Sequence, residues 1–385
     1  MSAQPLVSII VDNYNYGRFL GQAIESALDQ AYPRTEVIVV DDGSTDNSRE
    51  VISRYGSRIL PVLQDNRGQA AAFNQGFRHC QGEVVLFLDS DDALLPTAAA
   101  RAVEALRESH IIKAHWPLHI VDEQGARTGK MSPAHDLAEG DLRQDILEGG
   151  PWCVATPPTT GNAWTRRFLK QVLPVPEERY RICADAFLVA LGWVCGPSRL
   201  VPEPQGFYRL HGSNRYAAQP FLQKLKRDLW VHDQVCDALH DYFSREGISI
   251  DREKWKRESW PHQLFEVTQE LPAVVPEGET LILVDGDDWG VRISEKLRQL
   301  PFLEKNGDYW GPPADDATAM SELTRMQKEY GAGFIAFGWP AFWWLDHYRE
   351  FARHLRENFR CVLYNERLRV FDLRLPLPSD GSGPG

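Results

Sequence analysis

Over the first hundred or so residues, short continuous apolar runs alternate with stretches whose apolar residues recur every three or four positions. The runs Leu6 to Val11, Val37 to Val40, Ile59 to Leu63 and Val84 to Leu88 predict strands. Between the first two, Phe19, Leu20, Ala23, Ile24, Ala27 and Leu28 share one face of a helix spanning Tyr16 to Gln30. Ser44-Thr45-Asp46-Asn47 supplies cap chemistry for a second helix through about Tyr55, and Ala70 to Cys80 predicts a third. Regular strand–helix alternation implies an α/β fold with a doubly wound, mostly parallel sheet.

The pattern loosens further on. Ile111 to Val121 predicts a strand followed by a turn at Asp122-Glu123-Gln124-Gly125, and Asp145 to Asn162, rich in Gly, Pro and Thr, predicts a loop over the site. Phe221 to Phe243 predicts a long packing helix with Leu222, Leu225, Leu229, His232, Cys236, Leu239 and Phe243 on one stripe. A second α/β unit follows: strands at Leu281 to Val284, Phe334 to Phe337, Val362 to Tyr364 and Arg369 to Leu373, with helices at Ser321 to Tyr330 and Asp346 to Phe359. The expected organisation is a catalytic domain over 1–215, a helical linker region over 216–275, a smaller α/β domain over 276–376, and a disordered tail over 377–385.

Composition narrows the function classes. A length of 385 residues allows two cores, and 43% hydrophobic with 25% charged residues is ordinary for a globular protein. A net charge of -12 disfavours a nucleic-acid partner. MSAQPLVSII runs straight into patterned sequence, so it is read as a first strand and not as a signal peptide. No apolar stretch reaches eighteen residues, so none is expected to span a bilayer. Six cysteines without a CxxC pair predict reduced thiols and a cytoplasmic protein. His115 and His119 are four apart, but Pro117 between them and the strand pattern argue against zinc.

The candidate chemistry lies at strand ends. Asp89-Ser90-Asp91-Asp92 closes the fourth run, where open α/β sheets place ligands. Like charges that close are unfavourable unless a proton or a cation neutralises them, and with a divalent cation they form a hard-oxygen platform for a diphosphate. Read in order, Val7 to Asn15, Val39 to Asp46, Asn66-Arg67-Gly68 through Asn74-Gln75-Gly76, and Gly82-Glu83 leading to Asp89-Ser90-Asp91-Asp92 form a series. This series resembles the family-two glycosyltransferases, inverting enzymes of GT-A fold that use nucleotide-sugar donors. The likeness runs from about Leu6 to Asn214.

The resemblance implies a role for each matching residue. Asn13, Asp42, Arg67, Asp89 and Arg209 would bind the donor nucleotide, with Asp42 on the base and Arg209 on phosphate. Asp91, supported by Asp89 and His211, would hold a manganese or magnesium ion. Asp185 would be the catalytic base, although the acidic residue usual before it is replaced by Ala184. Bland alternatives accompany these roles. Asp41 or Asp42 could brace the Gly43 turn, Asp185 could be a helix cap, and Gly68 and Gly76 could be ordinary turn or helix-end glycines. Trp152 could stack on a sugar or lie buried, and Trp339 to Trp344 could grip a glycan or pack; burial is favoured for both.

The implied donor is a UDP- or dTDP-sugar, and the acceptor a glycan, a lipid-linked glycan or a small molecule. Basic residues at Lys224, Lys226, Arg227, Arg252, Lys254, Lys256 and Arg257 allow peripheral contact with the inner face of a membrane, or simply solvated helix faces. A homodimer is compatible with all of this. Two other functions stay open: a nucleotidyltransferase that makes sugar nucleotides, for which the first strand lacks a glycine-rich basic loop, and a binding module without activity.

Overall fold

The computed structural model describes residues 4–214, 219–286, 289 and 293–376. The chain divides into two compact units, Met1–Ser259 and Trp260–Gly385. The expected tail lies outside the described residues, as does part of the Val284 to Gly290 segment.

In the first unit the strands and helices alternate as β1 (Val7–Asn13), α1 (Gly17–Leu28), β2 (Thr35–Asp42), α2 (Ser48–Ser53), β3 (Leu60–Gln64), α3 (Gln69–His79) and β4 (Val84–Asp89). There follow β5 (Ala93–Leu94), α4 (Ala98–Ala105), β6 (Lys113–His115), β7 (Leu118–Val121), β8 (Arg127–Ser132), α5 (Arg143–Gly149), β9 (Asn162–Thr165) and α6 (Arg166–Val172). The unit closes with α7 (Ala184–Val194), β10 (Ser198–Leu200), β11 (Gly206–Arg209), α8 (Phe221–Arg245) and α9 (Arg252–Glu258).

Seven strands form the main sheet in the order β10-β6-β9-β4-β1-β2-β3, and only β9 runs against its neighbours. β1 is flanked by β2 and β4, so the chain reverses its direction of winding beside β1. Ligands of open α/β sheets bind at that switch point, outside the carboxyl ends of the strands.

Strand alternation decides which acids meet there. Ile10, Ile38, Val40, Val85 and Phe87 face one side and pack with α3, α7 and α8, whereas Val7, Ile9, Val11, Val39 and Leu88 face α1, α2 and α4. A period of two therefore puts Asp12, Asp42 and Asp89 on the α3/α7 side. β1 and β4 pair in parallel register with Asp12 beside Asp89.

The predicted Ile111 to Val121 strand is broken. Trp116-Pro117 separates β6, in the main sheet, from β7, in a second sheet of order β5-β11-β7-β8. Proline offers no N–H to a ladder, which favours the crossing there. This separation also puts His115 and His119 in different sheets. The Asp145 to Asn162 segment is less irregular than predicted, since its start continues α5 and its end is a helical turn at Thr159–Gly161. α8 matches the predicted long helix, but Leu222 is exposed and the buried stripe starts at Leu225.

The second unit holds α10 (Trp260–Val274), β12 (Thr280–Val284), β13 (Arg298–Pro301), a small hairpin of β14 (Glu304–Lys305) and β15 (Asp308–Tyr309), α11 (Asp316–Tyr330) and β16 (Ala332–Gly338). It ends with α12 (Trp343–His347), α13 (Arg349–Asn358), β17 (Phe359–Tyr364) and β18 (Leu368–Pro376). Its five-stranded sheet has the order β13-β12-β16-β18-β17 around its own apolar core. The Trp339 to Trp344 cluster splits: Trp344 is fully buried, while Trp343 is 49% exposed.

Candidate active site

Five aspartates surround one basin at the carboxyl ends of β1 and β4. Burial, with the neighbouring Asp91 adding to it, pushes the Asp12 carboxyl up to about 8. Burial raises Asp89 well above the usual range, and Asp12, Asp92, Asp91 and Asp185 reinforce the shift. Asp92 is raised the same way, by burial and by Asp91. Because Asp12 and Asp89 both respond to Asp185, the base candidate shares the field of the strand-end acids.

Asp91 is held from β11. β5, which follows the aspartates, pairs with β11, and this pairing carries Arg209, His211 and Asn214 to the cluster. Asp91 Oδ2 lies 3.1 Å from His211 Nε2 and accepts the Asn214 side-chain amide at 3.2 Å. The His211 ring is buried against Tyr16 and Phe19, and its Nδ1 lies 3.0 Å from Ser213 Oγ. Asp92 accepts the Arg209 N–H at 3.0 Å and the Thr160 hydroxyl at 2.8 Å, which fixes the turn below Asp91.

Asp185 occupies the first turn of α7, after Cys183 in a left-handed conformation at the N-cap position. It is therefore inside the helix and not its cap. Burial raises its carboxyl, opposed by the Ala186 N–H, the Arg227 guanidinium, its own backbone N–H and the Thr159 hydroxyl. Arg227 also donates to Cys183 Sγ at 3.0 Å.

Asp42 is buried at the end of β2 and organises the β3–α3 loop. Its Oδ1 accepts the Gln64 side-chain amide at 2.6 Å and the Arg67 N–H at 2.8 Å, and its Oδ2 accepts the Gly68 N–H at 2.7 Å. A carboxylate has about four acceptor positions, so one stays open on Oδ2. Asp42 lines a cavity of about 250 Å³ with Tyr14, Asn66, Gly68, Arg181 and Ile182. Asn13 points its amide inward, donating to Asp41 Oδ1 at 2.9 Å and Ser44 Oγ at 3.1 Å. Asp41 in turn accepts the Ser44 N–H at 3.2 Å, the turn-bracing role considered for it.

Two expected donor contacts are arranged otherwise. The Arg209 guanidinium is buried and donates to Asp91 O, Asp122 O, Glu123 O and Gln22 Oε1, so it supports the Asp91 loop and does not face outward to phosphate. The Arg67 side chain is half-exposed and pairs with Glu177 at 3.5 Å; only its N–H reaches the cavity wall at Asp42. Trp152 is 43% exposed and stacks on His232, not buried as favoured.

The donor set fits a hard divalent cation. Among the described residues Asp12 Oδ1 is buried with no hydrogen-bond partner, and burial and mutual repulsion raise Asp12, Asp89 and Asp92 together. The 3.1 Å between Asp91 Oδ2 and His211 Nε2 suits neighbouring ligands of an octahedral ion with bonds of about 2.1 Å. Asp89, Asp91 and His211 do not close into a set of donors all within 4.8 Å. Asp89 instead accepts the Gln69 side-chain amide at 3.2 Å. Few protein ligands with phosphate and water completing the shell is the usual pattern for magnesium.

Sequence reading missed Asp12, Gln69, Asn214 and Thr159, and it put Arg227 among the basic residues of a helix face. Asp12 alone had a usable signal: it ends β1 on the same alternating face as the fourth strand's Asp89.

An α/β unit with an acidic basin at its switch point defines the class, and comparison with known proteins specifies it. The family described as Glycosyl transferase family 2 matches residues 8–161. An uncharacterized glycosyltransferase of Nostoc sp. is 38% identical over 249 residues, covering 63% of this chain and 76% of that protein. An uncharacterized glycosyltransferase of Haemophilus influenzae is 36% identical over 125 residues, covering 31% of this chain and 50% of that protein. A solved structure of TarS 1-349 from S. aureus aligns over 94% of this chain and 95% of that one, with a TM-score of 0.43 and 18% identity. The chain belongs to glycosyltransferase family 2 and is a glycosyltransferase. Among the described residues no helix is long and apolar enough to cross a membrane.

Proposed function

We propose that the protein is a cation-dependent, inverting hexosyltransferase. It takes a sugar from a UDP- or dTDP-linked donor to a hydroxyl of a glycan or lipid-linked glycan. The observation carrying this reading is the convergence of Asp12, Asp89, Asp91 and Asp92 with Asp185 in one electrostatic field beside the Asp42 cavity. In this reading residues 1–215 form the catalytic domain, 216–275 a helical linker, and 276–376 an accessory domain.

Asp42 takes an N–H of the base or a ribose hydroxyl at its open acceptor position, within a cavity walled by Tyr14, Asn66, Gly68 and Arg181. Asp91 and His211, with Asp89 beside them, would hold manganese or magnesium, a Lewis acid that eases charge on a departing diphosphate. Arg209 keeps the Asp91 loop in place through its backbone. Asp185 receives the acceptor hydroxyl proton as that oxygen bonds the anomeric carbon, and the opposite C–O bond breaks with its electron pair leaving on the nucleoside diphosphate. A carboxylate raised by burial is a better base near neutral pH than an ordinary aspartate.

A thermal-shift panel of UDP-, dTDP- and GDP-sugars, with and without manganese, tests the substrate class. A manganese-dependent rise with a UDP- or dTDP-sugar is expected. No response to any nucleotide sugar under either condition would contradict the reading.

A further inference from the structure

Gln69 is the first residue of α3, and its side chain joins two parts of the basin that the chain separates by more than ninety positions. Its Nε2 donates to Asp89 Oδ1 at 3.2 Å and faces Asp12 Oδ2 at 3.5 Å. Its Oε1 accepts the Ala184 N–H at 3.0 Å, at the first residue of α7 and next to Asp185. The partners on both sides fix the amide orientation: an N–H must meet the oxygen, and carboxylates must meet the NH2. Both backbones agree with this bridge. Gln69 N donates to Arg181 O at 2.9 Å and Ala70 N to Tyr180 O at 3.3 Å, so the segment leading into α7 satisfies the otherwise orphaned first N–H groups of α3.

Gly68 makes the approach possible. Its φ is +93°, and a Cβ there would lie 2.4 Å from Arg181 O and 2.8 Å from Arg181 Cα. Because α3 and the 180–184 segment touch through main chain, the Gln69 amide spans from the strand-end acids to the base helix without an intervening side chain.

We propose that Gln69 is a positioning residue that ties the base helix to the acidic cluster, so that Asp185 is held in register with the donor site. This rests on the reading of Asp185 as base. Gln69 touches neither the reacting sugar nor the acceptor; it acts through Ala184 on one side and Asp89 on the other. Gln and Glu match in length, but a carboxylate here would face Asp89 and Asp12 with no donor between them. Asn is a methylene shorter and cannot span both partners.

The test uses the full chain with Gln69→Met, Gln69→Asn and, alongside, Asp185→Asn. Gln69→Met is expected to lower kcat about tenfold to a hundredfold, the cost of small misplacements of reacting groups. Its affinity for nucleotide with manganese should stay within about threefold of wild type. Amide hydrogen exchange at 184–187 should speed up markedly in both Gln69 variants, while wild type without ligand protects the Ala184 amide. Unchanged kcat in Gln69→Met, or a loss matched by equal loss of nucleotide affinity, overturns the proposal. An unprotected Ala184 amide in wild type overturns it even if the variants fail to fold. Turnover retained by Asp185→Asn would instead remove the base assignment, leaving the exchange result to stand on its own.

Discussion

At the scale of single residues, the acids at the basin and one buried amine show how placement sets chemistry. Lys113 on β6 is fully buried; among the described residues its Nζ has no hydrogen-bond partner and lies 5.5 and 6.0 Å from the rings of Trp164 and Trp193. Burial lowers its ammonium to about 7. The folded value lies below the unfolded one, so the unfolded chain holds the extra proton between about pH 7 and pH 10.5; the lysine's penalty is full below that window, fades across it and is gone above it. Lys113→Met should therefore raise the denaturant stability by on the order of 2–4 kcal/mol at pH 6, with the gain over wild type shrinking as pH rises towards 10. A destabilised variant, or a gain independent of pH, would contradict this. Nothing in the sequence marks Lys113 as buried, since a lysine beside alanine and histidine in a short segment reads as edge or surface. Asp12 was more accessible to reasoning: its carboxylate follows from alternation along β1, which sends Ile10 and Asp12 to one face.

At the scale of elements, continuous apolar runs made β1, β2 and β4 legible because both faces of a parallel sheet are covered there, whereas β3 is an edge strand with Leu60 and Leu63 exposed; helical periodicity did the same for α1, α3 and α8. The elements around the site were less legible. β6 and β7 part company at Pro117 because two sheets compete for the strand. Trp152 stacks outside on His232 because its loop is held by neighbours distant in sequence. The contact between α3 and the start of α7 is of the same kind, invisible until both segments are placed. Gly68→Ala tests it from the backbone side. With φ 93° and ψ 174° Gly68 sits in a region essentially restricted to glycine, which costs an alanine on the order of 1–3 kcal/mol, and the Cβ cannot fit against Arg181. The variant should melt lower and lose kcat while its far-ultraviolet spectrum stays native; a wild-type melting point and kcat would show that the close approach is not required.

At the scale of the whole molecule, function concentrates in the first unit. All of the sequence-derived site residues lie there, from Asn13 to His211, and the fold brings the acids from strand ends, a turn and a helix start into one field. The net charge of -12 would oppose an anionic donor at a distance, which in the proposed reading a cation and the local donors overcome. The separation of roles within the basin is the central claim: Asp91 serves binding, Asp185 serves proton transfer. One paired measurement addresses it directly, namely nucleotide affinity with manganese by calorimetry and sugar transfer by product release, on wild type, Asp91→Asn and Asp185→Asn. The account predicts that Asp91→Asn loses both, whereas Asp185→Asn binds as wild type and transfers about a hundred- to ten-thousand-fold more slowly. Near-normal transfer by Asp185→Asn, or manganese-dependent nucleotide binding undiminished in Asp91→Asn, would contradict it.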